Sequence, residues 1–388
     1  MQSIVILGRQ PLIGLAELES LYGATCLHPV GPDAVLLDMP SSSINYSRLG
    51  GALKLGQVLT ITDNKNIKSE LAKLAKQIEL PQNSKITIGV SAYNLDFSIS
   101  VLQTTAFSIK KIFKRRGINA RVIPNRDKTL NAAQILHNNL SKDNGIEILL
   151  VGKGSEIIIA RTTNVQNITD YTARDRMRPK RDAYVGMLPP KLAQIIINLA
   201  TSQLLPTSTT VLDPFCGTGV ILQETLLMGF DVYGSDLDKR MIDYSKTNIA
   251  WAKEKYPFVI GNVKIEVGDA RNYKWQPTID VVASETYLGI PLTSAPPLDK
   301  LQSIITEVDK LHKQFLKNIH AQLKPGTRLC LAVPAWFKNG AFLHLPTLDQ
   351  LAKLGYNRVA FEHAGANDMI YHRPDQFVAR ELVILIRN

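Results

Sequence analysis

Residues 210–220 read TVLDPFCGTGV, and this run constrains the fold more than any other part of the chain. Val211 and Leu212 end a short apolar strand, and Asp213 follows at its carboxyl edge. Open α/β sheets bind their ligands at that edge. Gly217 and Gly219 let the backbone turn tightly and approach a ligand before the next helix begins. A dinucleotide fingerprint needs a third glycine at position 222, which is leucine here. The loop therefore suits a nucleoside without a pyrophosphate.

Two later carboxylates extend the pattern. Asp236, in VYGSDLD, ends the second strand 19 residues after Gly217. A carboxylate there can accept hydrogen bonds from both hydroxyls of a ribose. Asp269, in VGDAR, ends the third strand, within reach of an adenine amine. Any one Asp could be a helix cap or a turn residue. Three at successive strand ends form a set for ribose and adenine beside a pyrophosphate-free glycine loop, which S-adenosylmethionine requires.

The rest of the chain alternates in the same way from Met187 onward. Helical PPKLAQIIINLATSQL, VILQETLLMG and KRMIDYSKTNIAWAKEKY alternate with strand-like DVYGSD, NVKIEVGD, IDVVASETY, RLCLAVPAW and ELVILIR. This predicts a mostly parallel, doubly wound α/β sheet over residues 187–388. The closing YHRPDQFVARELVILIRN reads as a hairpin whose turn residues His372 and Arg373 either face substrate or, as is commoner for polar turn residues, are solvated. Residues 1–63 read as a small α+β unit and 64–165 as a second. Residues 166–186, QNITDYTARDRMRPKRDAYVG, are polar and arginine-rich and read as a linker.

Charge is distributed unevenly. Residues 1–185 hold 24 Lys and Arg against 15 Asp and Glu, whereas residues 186–388 hold 21 against 19. A basic front half suggests a polyanion-binding module. Its densest patch is KKIFKRRG, with Lys110, Lys111, Lys114, Arg115 and Arg116, followed by Arg121. A helix dipole also favours cations at a helix end. The cluster exceeds what capping needs, which points to phosphate contact. Arg174, Arg176 and Arg178 of the linker would extend that path.

Three widely spaced cysteines exclude a disulfide scaffold and suit a reducing cytoplasm. The seven scattered histidines show no metal-ligand cluster. No apolar run reaches the roughly 18 residues of a membrane helix, and the start MQSIVILGRQ lacks the basic region of a signal peptide.

VLDPFCGTGVILQE resembles the first motif of Rossmann-type S-adenosylmethionine-dependent methyltransferases, in the form common among those that methylate exocyclic amines of nucleic acids. The stretch NITDYTARDRMRPKRDAYVGMLPPKLAQIIINLA resembles the segment joining a THUMP domain to the catalytic domain in tRNA guanosine-10 N2-methyltransferases of the archaeal and eukaryotic type. KITIGVSAYN and KKIFKRRGINARVIPN resemble the ferredoxin-like and THUMP modules of those enzymes. The resemblance implies a Rossmann-like methyltransferase domain preceded by a ferredoxin-like α+β unit and a THUMP domain. It also implies a tRNA substrate and a cofactor site of Asp213, Pro214, Cys216, Gly217, Thr218, Gly219, Asp236, Leu237, Asp269 and Ala270. Some eukaryotic relatives use a small activating protein partner, so such a partner is an open expectation.

One motif departs from the resemblance. After the fourth strand, family members show Asp or Asn, Pro, Pro and an aromatic, whereas this chain has Ser284, Glu285, Thr286 and Tyr287. The lone pair of a guanine amine is delocalised into the ring. An acceptor for its N–H groups helps to localise that pair and aim it. The aromatic stacks on the target base. Tyr287 fits the stacking role. Ser284, in the acceptor slot, is a weak neutral acceptor. Glu285, one residue over, either takes its place or is a solvated loop residue.

Overall fold

The structure, a computed structural model, describes residues 1–388 except 80–84, 183–186, 207, 208, 277, 278, 293 and 295. It contains two units, the first comprising residues 1–15, 23–47 and 51–170 and the second residues 16–22, 48–50 and 171–388.

In the first unit the short apolar runs pair into one sheet. Its strands are β1 (Ser3–Leu7), β2 (Leu27–Val30), β3 (Ala34–Leu37), β4 (Ala52–Asp63), β5 (Ile86–Tyr93), β6 (Ala120–Val122), β7 (Gly145–Lys153) and β8 (Glu156–Val165). They lie in the order β2-β3-β1-β4-β8-β7-β5-β6. The boundary expected after residue 63 falls at the end of β4, which pairs with both β1 and β8. Strands from both expected front units thus share one ladder. A buried charge pair crosses the same line: Lys54 Nζ on β4 lies 2.6 Å from Glu147 Oε1 on β7. The hydroxyls of Ser91 and Thr162 also donate to Glu147, so the buried carboxylate is fully engaged.

Helix α3 (Ile99–Arg115) shows how sequence spacing becomes packing. The Ser98 side chain caps its start by accepting from the Val101 amide. Leu102, Ala106, Ile109 and Phe113 fall on one face and are buried against Ile86, Ile88 and Val90 of β5. Burying each large apolar side chain contributes about 1.5–3 kcal/mol. The remaining helices of this region are α1 (Pro11–Tyr22), α2 (Ile67–Gln77) and α4 (Ala132–His137).

The second unit is the doubly wound sheet that the strand–helix rhythm predicts. Its strands are β9 (Thr210–Asp213), β10 (Asp231–Asp236), β11 (Val263–Val267), β12 (Val281–Glu285), β13 (Arg328–Lys338), β14 (Ala341–Leu343), β15 (Tyr356–Arg358), β16 (Ile370–Tyr371) and β17 (Val378–Arg387). The order is β11-β10-β9-β12-β13-β17-β15, with β14 on β13 and β16 on β17. The first five are parallel, and β17 and β15 close the sheet antiparallel. Strand order reverses between β9 and β12, and a ligand crevice is expected at such a switch point. Helices α5 (Ile168–Arg176), α6 (Pro190–Thr201), α7 (Val220–Leu227), α8 (Lys239–Lys255) and α9 (Leu298–His320) complete the described elements. α9 buries Leu301, Ile304, Ile305, Val308 and Phe315 in the core beneath the switch point.

Candidate active site

β9, β10 and β12 deliver three carboxylates to one edge of the sheet. Asp213 ends β9, and its Oδ1 accepts from the Phe215 amide at 3.1 Å and from the Ser284 hydroxyl at 2.6 Å. Burial is nearly complete and pushes its carboxyl up to about 8. The nearby charges of Asp236 and Glu285 add to that push, which places both within electrostatic range of Asp213.

Asp236 ends β10. Its Oδ2 accepts from the Gly217 amide at 2.9 Å, and its Oδ1 from the Asp238 amide at 2.9 Å. Each oxygen keeps a further lone pair for a ligand hydroxyl. Burial raises this carboxyl as well. Gly219 caps α7 at φ 83°, where an added Cβ would lie 2.9 Å from the Ser245 hydroxyl. Gly217, at φ 49°, has open space where a Cβ would stand. One glycine is thus required by packing and the other leaves room for a ligand. Cys216 is buried beside Ser245, its thiol pushed well above its ordinary value by that burial. It serves packing, as do buried Ala270 and the strand core. Leu237 is 65% exposed immediately after Asp236, an apolar surface suited to the face of a purine.

Asp269 is not an open acceptor. Both of its oxygens accept from Arg271, at 2.6–3.0 Å. The guanidinium holds the carboxyl below the usual range. Any adenine contact therefore shares Asp269 with a cation two residues away, which a strand-end pattern cannot reveal.

The departing motif is fully engaged. Ser284 is buried and spends its hydroxyl on Asp213, so it is not presented as an acceptor for a substrate amine. Glu285 Oε1 accepts from Arg380 Nε on β17. The other oxygen, Oε2, has no hydrogen-bond partner among the described residues. Thr286 donates its amide to Ala332 at 3.0 Å, extending the β12–β13 ladder by one residue. Its hydroxyl lies 2.7 Å from His312 Nε2. His312 Nδ1 bonds the Val308 carbonyl at 2.8 Å, which makes Nε2 the acceptor for Thr286. Burial pushes this imidazole down to about 4, so it is neutral. Tyr287 is 41% exposed. Glu285 ends β12, and its carboxylate is held by the nearly buried Arg380.

The cationic candidates divide into three groups. Lys111, Lys114 and Arg115 are exposed on α3, and Lys110 is partly so. Arg116 donates to the Ala75 and Ile78 carbonyls at the end of α2, and Arg121 to Thr87 and Asn138, so both are bound to the protein. Within 171–182, Arg176 is exposed, but Arg174 is buried 3.0 Å from Glu224 and Arg178 is 3% exposed. Those two do not offer their charge to solvent. The described part of the expected linker is packed, because Asn248 bonds the Lys180 backbone on both sides and also the Thr218 carbonyl. Residues 183–186 of that stretch lie outside the described residues.

Comparison with known proteins agrees with this geometry. A model described as a methyltransferase domain matches residues 206–353. The fold is that of S-adenosylmethionine-dependent methyltransferases. A model described as a DNA methylase matches residues 99–247. The chain is 32% identical over 162 residues to tRNA (guanine(10)-N2)-dimethyltransferase of Methanothermobacter thermautotrophicus, covering 42% of each protein. It is 29% identical over 150 residues to the protein of that name from Pyrococcus abyssi, covering 39% of this chain and 40% of that one. The matches thus span less than half the length of these relatives. Among solved structures, TrmN from Thermus thermophilus is 17% identical, with all of both chains covered and a TM-score of 0.52. A putative methyltransferase complexed with SAH is 14% identical, with a TM-score of 0.50 and 98% of that chain covered.

Asp236 stands beside the open turn at Gly217, and S-adenosylmethionine carries positive charge on its sulfur and amine. Arg380, His312, Arg271 and Asn248 complete the site without a signal in the motifs. The one local cue is an arginine set in the apolar strand VARELVILI.

Proposed function

We propose that the chain transfers a methyl group from S-adenosylmethionine to the N2 amine of a guanosine in tRNA, at position 10. The names of the relatives support the nucleoside and the position. The observation that carries the chemistry is the held carboxylate of Glu285, with Oε2 free, two residues before exposed Tyr287 and in electrostatic range of Asp213.

Asp236 holds the ribose hydroxyls, Leu237 faces the adenine, and the Gly217 turn admits the methionine end. The bound cofactor would supply a sulfonium-activated methyl group, with the C–S bond breaking onto sulfur. Tyr287 stacks on the extruded guanine. Glu285 Oε2 accepts an N–H of the amine, which localises its lone pair toward the methyl carbon. The surplus proton leaves to water once the C–N bond has formed. In the front half, Lys111, Lys114 and Arg115 contact the RNA backbone.

Labelled S-adenosylmethionine, incubated with unmodified tRNA and in parallel with duplex DNA, tests the reading. Digestion is expected to yield labelled N2-methylated guanosine from tRNA alone. Label in a DNA base would instead favour the substrate suggested by the DNA methylase match over residues 99–247.

A further inference from the structure

Glu285 has a longer, more flexible side chain than the Asp or Asn that its family slot expects, and it lies one residue further along the strand. Left alone it would sample several rotamers and hold no fixed direction. The structure supplies the missing constraint from a strand far away in sequence. We propose that Arg380 is a positioning residue that fixes Glu285 as the amine acceptor, a role that rests on the reading of Glu285 given above.

The geometry makes Arg380 suited to this. It is 6% exposed, near the start of β17, with Pro334 of β13 on one side and Tyr371 of β16 on the other. Nε donates to Glu285 Oε1, and Nη1 lies 3.4 Å from Gln376 Oε1. Gln376 is itself anchored: its carbonyl lies 2.8 Å from His372 Nε2, and its amide donates to the Arg373 carbonyl at 2.9 Å. His372 packs its ring against Phe337 and Phe342, with centroids 5.0 and 5.2 Å away. The turn therefore holds Gln376, Gln376 contacts Arg380, and Arg380 holds one oxygen of Glu285.

This arrangement divides the carboxylate into two jobs. Oε1 is fixed by the guanidinium. Oε2, with no hydrogen-bond partner among the described residues, is left as the freer acceptor. A planar guanidinium on a rigid strand defines its direction better than an ammonium on a flexible stem could. The two prolines that stiffen the loop in the family are absent. Here the Thr286–His312 bond and the Glu285–Arg380 pair together hold the segment.

The test is a double-mutant cycle on the full chain, measuring kcat and KM for tRNA and the Kd of S-adenosylmethionine. Glu285→Ala alone should lower kcat about 100-fold with both binding constants nearly unchanged. Arg380→Gln should lower kcat at least tenfold, again with cofactor Kd and tRNA KM preserved. Arg380→Lys should recover part of that loss. In the Glu285→Ala background, Arg380→Gln should cost nothing further, because no acceptor remains to be positioned. An Arg380→Gln loss that repeats in full in the Glu285→Ala background overturns the positioning role. So does an Arg380→Gln kcat equal to wild type while Glu285→Ala is impaired; in that case the acceptor reading survives. A Glu285→Ala enzyme with unchanged kcat overturns the acceptor reading, and the positioning role with it. If Arg380→Gln fails to fold, Arg380→Lys with the same cycle carries the test.

Discussion

The hydroxyl of Ser284 donates to Asp213 Oδ1 at 2.6 Å, joining the strand that ends in the cofactor loop to the strand that ends in the acceptor motif. The residue in the family's acceptor slot has turned inward to serve a carboxylate. Its neighbour, held by Arg380, takes the outward direction. The motif has been rewired, with every replaced side chain given a partner.

Ser284→Ala removes a donor that offsets the burial of Asp213. The Asp213 carboxyl should rise further, and the lost buried hydrogen bond should cost about 1–3 kcal/mol. Urea unfolding at neutral pH measures that loss. Cofactor affinity, read by equilibrium dialysis, should fall as Asp213 spends more time protonated.

Stability should decline as pH rises from about 4 to about 8. In the native state Asp213 binds its proton up to about 8. In the unfolded chain it loses that proton near pH 3.9. Between those values the native state holds more protons, so raising the pH favours unfolding. Asp236, shifted in the same direction, adds to the slope. Urea midpoints at pH 5, 6.5 and 8.5 should fall in wild type and fall less in Asp213→Asn.

A proline at position 286, where the methyltransferases that the motif resembles carry one, should destabilise the chain rather than improve it. Thr286→Pro deletes the amide bond to Ala332 and the hydroxyl bond to buried His312. Each buried loss costs about 1–3 kcal/mol, so a total of about 2–6 kcal/mol is expected from denaturant curves. A stabilised variant would mean that the Thr286 contacts contribute nothing.

Replacing Tyr287 with Ala should cut methyl transfer about 10- to 100-fold while cofactor Kd stays constant, because base stacking contributes about 1–3 kcal/mol. Tyr287→Phe should stay near wild type. Equal losses in both variants would point to the hydroxyl instead of the ring.

The cation groups predict opposite phenotypes. Replacing Lys111, Lys114 and Arg115 with Gln should weaken RNA binding and flatten its salt dependence, with the slope falling by about 0.7–0.9 per lost phosphate contact. Arg174→Gln and Arg116→Gln should instead lower thermal stability, since Glu224 and the α2 carbonyls lose their partner.

The parts of the site legible in the sequence are those made by neighbours along the chain. Asp213, Gly217 and Gly219 fall within seven residues, and Asp236 ends the next strand, so strand-end logic finds them. The same logic predicted the parallel order around β9. Partners brought in by packing were hidden. Arg380 lies 95 positions from Glu285, and His312 lies 26 from Thr286. Burial was equally hidden: Arg174 and Arg178 sit in a polar stretch that reads as exposed, yet both are inside. In the first unit, a ladder joins β4 to β8 across about a hundred residues, a pairing that local patterns do not encode.

The most direct test of the central claim is single-turnover methyl transfer from labelled S-adenosylmethionine to unmodified tRNA, comparing wild type with Glu285→Ala at saturating concentrations of both ligands. Wild type is expected to label the guanosine amine, and Glu285→Ala to bind both ligands and transfer about 100-fold more slowly. Equal rates in the two proteins, or no transfer by a wild type that binds both ligands, would contradict a working acceptor at Glu285.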